Sequence, residues 1–304
     1  MSKKISSKKP LIGFIGQGFI GKNYADDFEA RGFSVIRYAM EAPYRANKEK
    51  IRSCDIVFIA VPTPTTVQGF DYSIVQSVLS LVGKGKIAVI KSTLLPGTTE
   101  KLQEAYPDRV VFHSPEFLRE RSAAYDAAHP GRNIIGVPAD TLQTRVAAKK
   151  VLSILPKASF EAVMNVREAE LIKYAGNNFL FLKVVYVNMV YDMAKKLGCR
   201  WDIIRDAVIA DPRIGASHME PVHQSGHTHG TRKGKSVLPK NLSGRGAGGH
   251  CFIKDFAAFS LLYEKLLDDP LGSRVFQALE EKNNELLRNS AKDLDLLKGV
   301  YGGK

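Results

Sequence analysis

The chain is poor in cysteine. Its 304 residues hold three, Cys54, Cys199 and Cys251, far apart in sequence. So odd and sparse a set argues against a disulfide framework and for a reducing compartment, which makes the cytoplasm the expected location. Long apolar runs are also missing, and none is long enough to cross a bilayer. The stretch Met1 to Pro10 is basic, but the apolar segment after it carries glycines and reads as a strand, not as a secretion signal. Acidic residues are outnumbered, 31 against 44 basic ones, for a formal charge of +13. Such an excess can attract anionic small molecules or simply keep the protein soluble. The basic clusters Lys3-Lys4, Lys8-Lys9 and Arg232-Lys233-Gly234-Lys235 are short and lack interleaved aromatics. Nucleic acid is therefore not an expected partner. His218, His223, His227 and His229 form a loose group whose spacing fits no closed zinc pattern, and no metal is expected.

What is present points to an α/β fold. The length suggests two domains. Apolar strand patterns cover Leu11–Ile15, Phe33–Tyr38, Asp55–Val61, Ile87–Ile90 and Val110–Phe112. Helical patterns lie between them, at Lys22 to Arg31, Tyr72 to Val82 and Thr99 to Ala105. This alternation predicts a parallel, doubly wound sheet of Rossmann type over residues 1–164. Near the end, a helix from Phe276 to about Asn289 and a short tail, Asp293 to Lys304, are expected.

Between the first strand and the first helix stands Gly16-Gln17-Gly18-Phe19-Ile20-Gly21. In that position each glycine has a use: a tight turn, close approach of backbone to a pyrophosphate, and close helix–strand packing. The phosphate would rest on the helix N-terminus. Gly16, Gly18, Phe19, Ile20 and Gly21 are thus candidate dinucleotide ligands. The acid usually found at the end of the second strand is absent. Ala39 stands there, with Glu41, Arg37 and Arg45 nearby. NAD is the expected cofactor, and NADP stays open because a nearby arginine can receive a 2′-phosphate.

A second glycine-rich loop, Gly246-Ala247-Gly248-Gly249, precedes His250-Cys251-Phe252-Ile253-Lys254-Asp255. If a helix starts there, its N-terminus favours the thiolate of Cys251, the nucleophilic form. Lys254 adds positive charge and Asp255 can handle protons, the layout of a covalent-catalysis site. The plain alternative is a small thiol buried in a helix cap. Cys54, within a strand pattern, and Cys199, near a helix end, read as inert thiols.

Several further segments agree. Val61-Pro62-Thr63-Pro64 and Lys91-Ser92-Thr93-Leu94-Leu95-Pro96-Gly97-Thr98-Thr99 resemble the dinucleotide-domain loops of the UDP-glucose/GDP-mannose dehydrogenase family. Ser114-Pro115-Glu116-Phe117-Leu118-Arg119-Glu120 is similar to its substrate loop, and Glu168 to Leu180 to the start of its long central helix. Asp211-Pro212-Arg213-Ile214-Gly215 and the cysteine loop complete the series in family order. The resemblance covers nearly the whole chain, and it implies an all-helical central domain over residues 165–304, led by one long helix from about Val166 to Leu197. A helix of that length must bury an apolar face, and a homodimer through it is the simple solution. The resemblance also implies four-electron oxidation of a nucleotide-sugar C6 hydroxyl to a carboxylate, with a UDP-sugar as the leading substrate class. By resemblance Cys251 is the nucleophile, and Lys173 and Asn177, one helical turn apart, stabilise the oxyanion. Asp255 and Thr93 hold or activate water, and Glu116 is the general base for thioester hydrolysis. Thr63, Pro64 and Thr93 belong to the cofactor site. Phe117, Leu118, Glu120, Lys254 and Arg213 belong to the substrate site, Arg213 reaching across a dimer in the family.

The sequence also departs from the pattern. The family's second nucleotide-binding domain does not follow, so a short form is expected. Arg121 stands where glycine is usual, Ala247 where an aromatic is usual, and His250 where a small residue precedes the nucleophile. The loop 220–244 is long and basic. Two rivals remain at this level: a two-electron dehydrogenase of hydroxyacid type that needs no cysteine, and a non-catalytic homologue that binds a nucleotide or a partner.

Overall fold

A computed structural model describes residues 9–225, 231–232, 235–236 and 243–302. The chain divides into two compact units, one formed by residues 1–64 and 71–173, the other by 65–70 and 174–304.

The strands in chain order are β1 (Ile12–Ile15), β2 (Val35–Tyr38), β3 (Ile56–Ile59), β4 (Thr65–Thr66), β5 (Gly69–Phe70), β6 (Ile87–Ile90), β7 (Val110–His113), β8 (Arg132–Val137) and β9 (Phe160–Asn165). The first unit is built on one sheet of order β2-β1-β3-β6-β7-β8-β9. Five of its pairings are parallel, and β7 with β8 is antiparallel, His113 facing Gly136. The sequence pattern predicts a parallel sheet and does not reveal β8 or β9. β9 is the edge strand and is largely exposed, so it needs no strong apolar run, whereas β8 is buried over residues 133–137.

β1, β3 and β6 are fully buried apolar strands, as expected of strands covered on both faces. Helix α1 (Phe19–Ala30) lays Gly21, Tyr24, Ala25 and Phe28 inward, the 3.6-residue spacing of one helical face. There Phe28 packs on Phe14 and Phe58, whose rings stack at 5.1 Å. Further helices are α2 (Ser73–Leu79), α3 (Thr98–Ala105), α4 (Ala123–Ala128) and α5 (Leu142–Ile154). After β1 the chain places β2 on one side and β3 on the other. That reversal opens a crevice at the carboxyl ends of the strands, where ligands bind in such sheets. The loops 16–21, 61–64, 91–97 and 114–118 all leave from those ends.

Helix α6 (Val166–Lys196) has the length foreseen from the sequence. In the second unit it is followed by α7 (Trp201–Ile209), α8 (Gly249–Leu266), α9 (Pro270–Asn289) and α10 (Leu294–Tyr301). α9 begins earlier than expected, at an Asp269 N-cap that accepts from Gly272 N, with Pro270 at the first helical position. The expected tail after Asp293 is helix α10. The helical core stacks Phe181 on Phe256 at 3.8 Å, beside Val184, Val185 and Ala247. The β4–β5 hairpin and two-residue ladders around 223–244 are the strands this unit adds.

Candidate active site

The glycine turn has the geometry its spacing foretells. Gly16 has φ +91°, and a Cβ there would sit 2.1 Å from Ala60 O. A Cβ on Gly21 would sit 2.0 Å from Gly16 O. Gly18 differs: nothing lies within 4 Å of its hypothetical Cβ, and as N-cap of α1 it offers no capping side chain. Two glycines thus permit tight packing, and the third leaves open space over uncapped N–H groups. That fits a dinucleotide pyrophosphate. Phe19 and Ile20 open α1. At the end of β2, Arg37 is bound to Asp26 at 2.7 Å and to Glu29 at 2.6 Å. Ala39 is buried, and Arg45 donates to Met40 O.

Neighbouring loops are tied together. Thr63 Oγ1 donates to Thr93 O at 2.9 Å. Ser92 Oγ donates to Val61 O and accepts from Val61 N. Pro64 follows at the end of the same loop. The loop after β6 is held by Glu170, whose carboxylate accepts from Gly97 N at 2.7 Å, Thr99 N at 2.8 Å and Thr99 Oγ1 at 2.7 Å. Glu170 therefore caps the N-terminus of α3 from a distant part of the chain. Burial pushes its carboxyl up to about 7, against the pull of these donors.

One turn after Glu170 comes Lys173. Its Nζ donates to Glu116 Oε1 and Glu116 O, both at 2.8 Å, and Glu116 Oε2 accepts from Leu118 N. Both members of this ion pair are buried. Such a pair stabilises the fold little, because desolvation offsets the attraction, so its value is more readily sought in chemistry. Phe117 stacks under Arg132, 3.5 Å from ring centre to guanidinium. Glu120 is exposed on the short turn Glu120–Ser122, a wetter setting than that of Glu116.

Around the pair lie groups the sequence reading assigned no role. Lys91 is buried, donates to Ser114 Oγ and sits 4.7 Å over the Tyr24 ring, and burial pushes its ammonium down to about 8. His113 is fully buried, with neither ring nitrogen hydrogen-bonded. Burial, then the charges of Lys91 and Lys173, push its imidazole down to about 3, against the pull of the nearby Ile90 backbone. Lys91 and Glu170 stand inside recognised motifs, yet only the fold shows what they touch. His113 ends an apolar strand and carries no sequence signal.

In the second unit Asn177 Nδ2 donates to Asp255 Oδ2 at 2.7 Å, and Lys254 Nζ pairs with Asp255 Oδ1. Asp255 is 1% exposed. Cys251 is the third residue of α8 and is exposed. Arg213 is exposed and paired with Asp211 at 2.6 Å. Lys173 and Asn177, one turn apart on α6, each bind a carboxylate, one in each unit. His227 and His229 lie outside the described residues.

Two segments match one family. Residues 40–153 match the NAD-binding domain of the UDP-glucose/GDP-mannose dehydrogenase family, and residues 167–242 match that family's central domain. The chain belongs to the UDP-glucose/GDP-mannose dehydrogenase family. The matched part of its NAD-binding domain begins after the glycine turn, so the turn is identified by its own geometry. The chain is 31% identical to UDP-glucose 6-dehydrogenase of Rickettsia typhi and 27% identical to that of Rickettsia conorii. In both cases the match covers 94% of this chain and 63% of the relative. A UDP-glucose dehydrogenase from the archaeon Pyrobaculum islandicum aligns with a TM-score of 0.75 at 26% identity, over 93% of this chain and 70% of that one. The chain spans just under two thirds of the length of these curated relatives. The fold is shared more widely: 3-hydroxyisobutyrate dehydrogenase of Mycobacterium tuberculosis aligns at TM-score 0.63 and 17% identity, over 96% of this chain and 98% of its own.

Proposed function

We propose that the protein oxidises the C6 hydroxyl of a nucleotide sugar, with a UDP-sugar as the leading class, to a carboxylate in two NAD-dependent steps joined by a thioester on Cys251. The observation that carries this reading is the paired arrangement on α6: Lys173 binds Glu116 and Asn177 binds Asp255 one turn later. An exposed cysteine in the first turn of α8 accompanies it.

NAD would supply the hydride acceptor for both oxidations. Gly16, Gly18, Phe19, Ile20, Gly21, Thr63, Pro64 and Thr93 are assigned to holding it. The engagement of Arg37 with two carboxylates disfavours a 2′-phosphate there and supports NAD over NADP. In the first oxidation the hydroxyl proton passes to solvent through a base. The Cys251 thiolate then adds to the aldehyde carbon, forming the C–S bond while the carbonyl electron pair moves to oxygen. Lys173 and Asn177 are suited to stabilise that oxyanion, being donors already held by hydrogen bonds. Loss of the second hydride leaves the thioester. Glu116, with Asp255 and Thr93 orienting water, takes a proton from the attacking water. The C–S bond breaks, the thiolate leaves and the carboxylate forms. Phe117, Leu118, Glu120, Lys254 and Arg213 are assigned to substrate binding.

The exposed side chains of Phe179, Tyr186, Met189, Met193 and Leu197 on and just after α6 support a homodimer through this helix. No helix among the described residues is long and apolar enough to cross a membrane.

The test is absorbance of reduced cofactor with UDP-glucose and a panel of other UDP- and GDP-sugars. Two cofactors reduced per sugar, abolished in Cys251→Ser, is the expected result. One per sugar, surviving Cys251→Ser, would replace this reading with a two-electron dehydrogenase. No reduction with any sugar would refute it.

A further inference from the structure

The glycine loop before Cys251 is gripped by side chains from the end of α9 and the start of α10. Asn283 binds both backbone groups of Ala247: Ala247 N donates to Oδ1 at 2.6 Å and Nδ2 donates to Ala247 O at 3.1 Å. Lys292 is completely buried. Its Nζ donates to Gly246 O at 2.9 Å and Gly244 O at 3.4 Å, and lies 3.1 Å from His223 Nε2. His223 Nδ1 lies 3.0 Å from Glu220 O. A neutral ring protonated on Nδ1 satisfies both contacts: it donates to Glu220 and accepts from Lys292. Burial, then the Lys292 charge, push His223 down to about 4, which keeps the ring neutral.

Asp293 acts on the helix itself. Its Oδ2 accepts from Gly249 N, the first residue of α8, at 2.8 Å, and its Oδ1 accepts from Ser225 Oγ at 2.8 Å. Gly248, the N-cap of α8, has no side chain to do this. Asp293 thus serves as an N-cap supplied from elsewhere in the chain, two residues from the thiol. The fit explains two glycines by close approach. A Cβ on Gly248 would lie 2.1 Å from Asp293 Oδ2, and one on Gly244 would lie 2.8 Å from Lys292 Cβ. Asp293 and Ala291 both hold φ +53°, a left-handed conformation that is strained for a non-glycine residue. Such conformations persist where surrounding contacts require them.

We infer that Lys292 and Asp293 are positioning residues for Cys251: they fix the glycine loop and complete the N-terminus of α8, and so set the place of the thiol. The inference rests on Cys251 as the nucleophile. Lys292 holds the two carbonyl groups upstream of the turn. Asp293 holds the first N–H downstream of it. The loop is therefore clamped on both sides of Gly248.

The test reads the thiol directly, without substrate or cofactor. Iodoacetamide labelling of the full chain at pH 7.5 is followed peptide by peptide by mass spectrometry, with exposed Cys199 as the internal control. Asp293→Ala should slow labelling of Cys251 by about tenfold, and Lys292→Met by a similar factor. Asp293→Asn keeps one oxygen to accept from Gly249 N, removes the charge and reverses the contact with Ser225 Oγ, the amide donating to the hydroxyl. Its Cys251 should label at or above the wild-type rate, which a merely structural role for the carboxylate would not produce. Ser225→Ala removes one support of Asp293 and should slow labelling about twofold to threefold. Cys199 should label equally in all. If Asp293→Ala does not fold, Ser225→Ala decides alone, and an unchanged Cys251 rate there overturns the inference. It is equally overturned by a wild-type rate in folded Asp293→Ala, or by equal losses in Asp293→Ala and Asp293→Asn. Failure to reduce NAD with any sugar leaves these rates intact and counts only against the proposed reaction.

Discussion

Replacing His113 by Phe should flatten the acid side of the stability profile. The imidazole is fully buried and is pushed down to about 3 by burial and two neighbouring ammonium groups, against the pull of the Ile90 backbone. In the unfolded chain it titrates at its ordinary value, about 6.5. The folded value is the lower one, so the unfolded state binds the extra proton and stability is lost as pH falls from 6.5 toward 3. At pH 7.5 the ring is neutral in both states and contributes no such loss. At pH 5 the gap is about one and a half pKa units at roughly 1.4 kcal/mol each, or about 2 kcal/mol. Phe has similar shape and no nitrogen to leave unpaired, so the two proteins should differ by no more than about 1 kcal/mol at pH 7.5. Urea unfolding followed by circular dichroism at pH 7.5 and 5.0 gives the comparison. The advantage of the variant should grow by about 2 kcal/mol between those conditions. Parallel pH profiles would refute the reasoning, since they would mean that His113 is solvated or paired.

The glycine turn offers a contrast in one motif. Gly21→Ala drives a Cβ to 2.0 Å from Gly16 O and should destabilise the protein by about 1–3 kcal/mol, seen in the thermal midpoint. Gly18→Ala meets nothing within 4 Å and should leave that midpoint nearly unchanged, yet raise the dissociation constant for NADH in a fluorescence titration. Glu170→Ala removes the acceptor for Gly97 N, Thr99 N and Thr99 Oγ1. It should cost on the order of 3 kcal/mol in urea unfolding and speed hydrogen exchange at Thr99 in particular.

Much of this was legible in the sequence, for identifiable reasons. β1, β3 and β6 are buried on both faces and read as plain apolar runs. The glycine turn follows β1 directly, so position and spacing spoke together. The bounds of α6 follow from the resemblance of Glu168 to Leu180 to the start of a known central helix, and the helix ends one residue earlier than expected, at Lys196. What escaped depends on distant contacts. β9 is a largely exposed edge strand with weak patterning, and β8, though buried, offers only the short apolar run Ile134-Ile135 between Asn133 and Gly136. The role of Glu170 exists only because α3 begins beside it, and nothing within six residues of Asp293 hints that it caps α8. His113 looked like one more strand residue, since burial is a property of neighbours and not of the residue.

The cap on α3 has a consequence for synthesis. Thr99 and Glu170 are 71 residues apart. At about 5–20 residues per second, the ribosome needs roughly 4–14 s to pass from one to the other. During that interval the start of α3 and the loop carrying Thr93 lack their carboxylate partner, while β1, β3 and β6 are already made. The nascent sheet can therefore assemble before its cofactor-side loop is locked. The final shape of that loop waits on a residue from the first turns of α6, so a loop made early is locked only after the next 71 residues have followed.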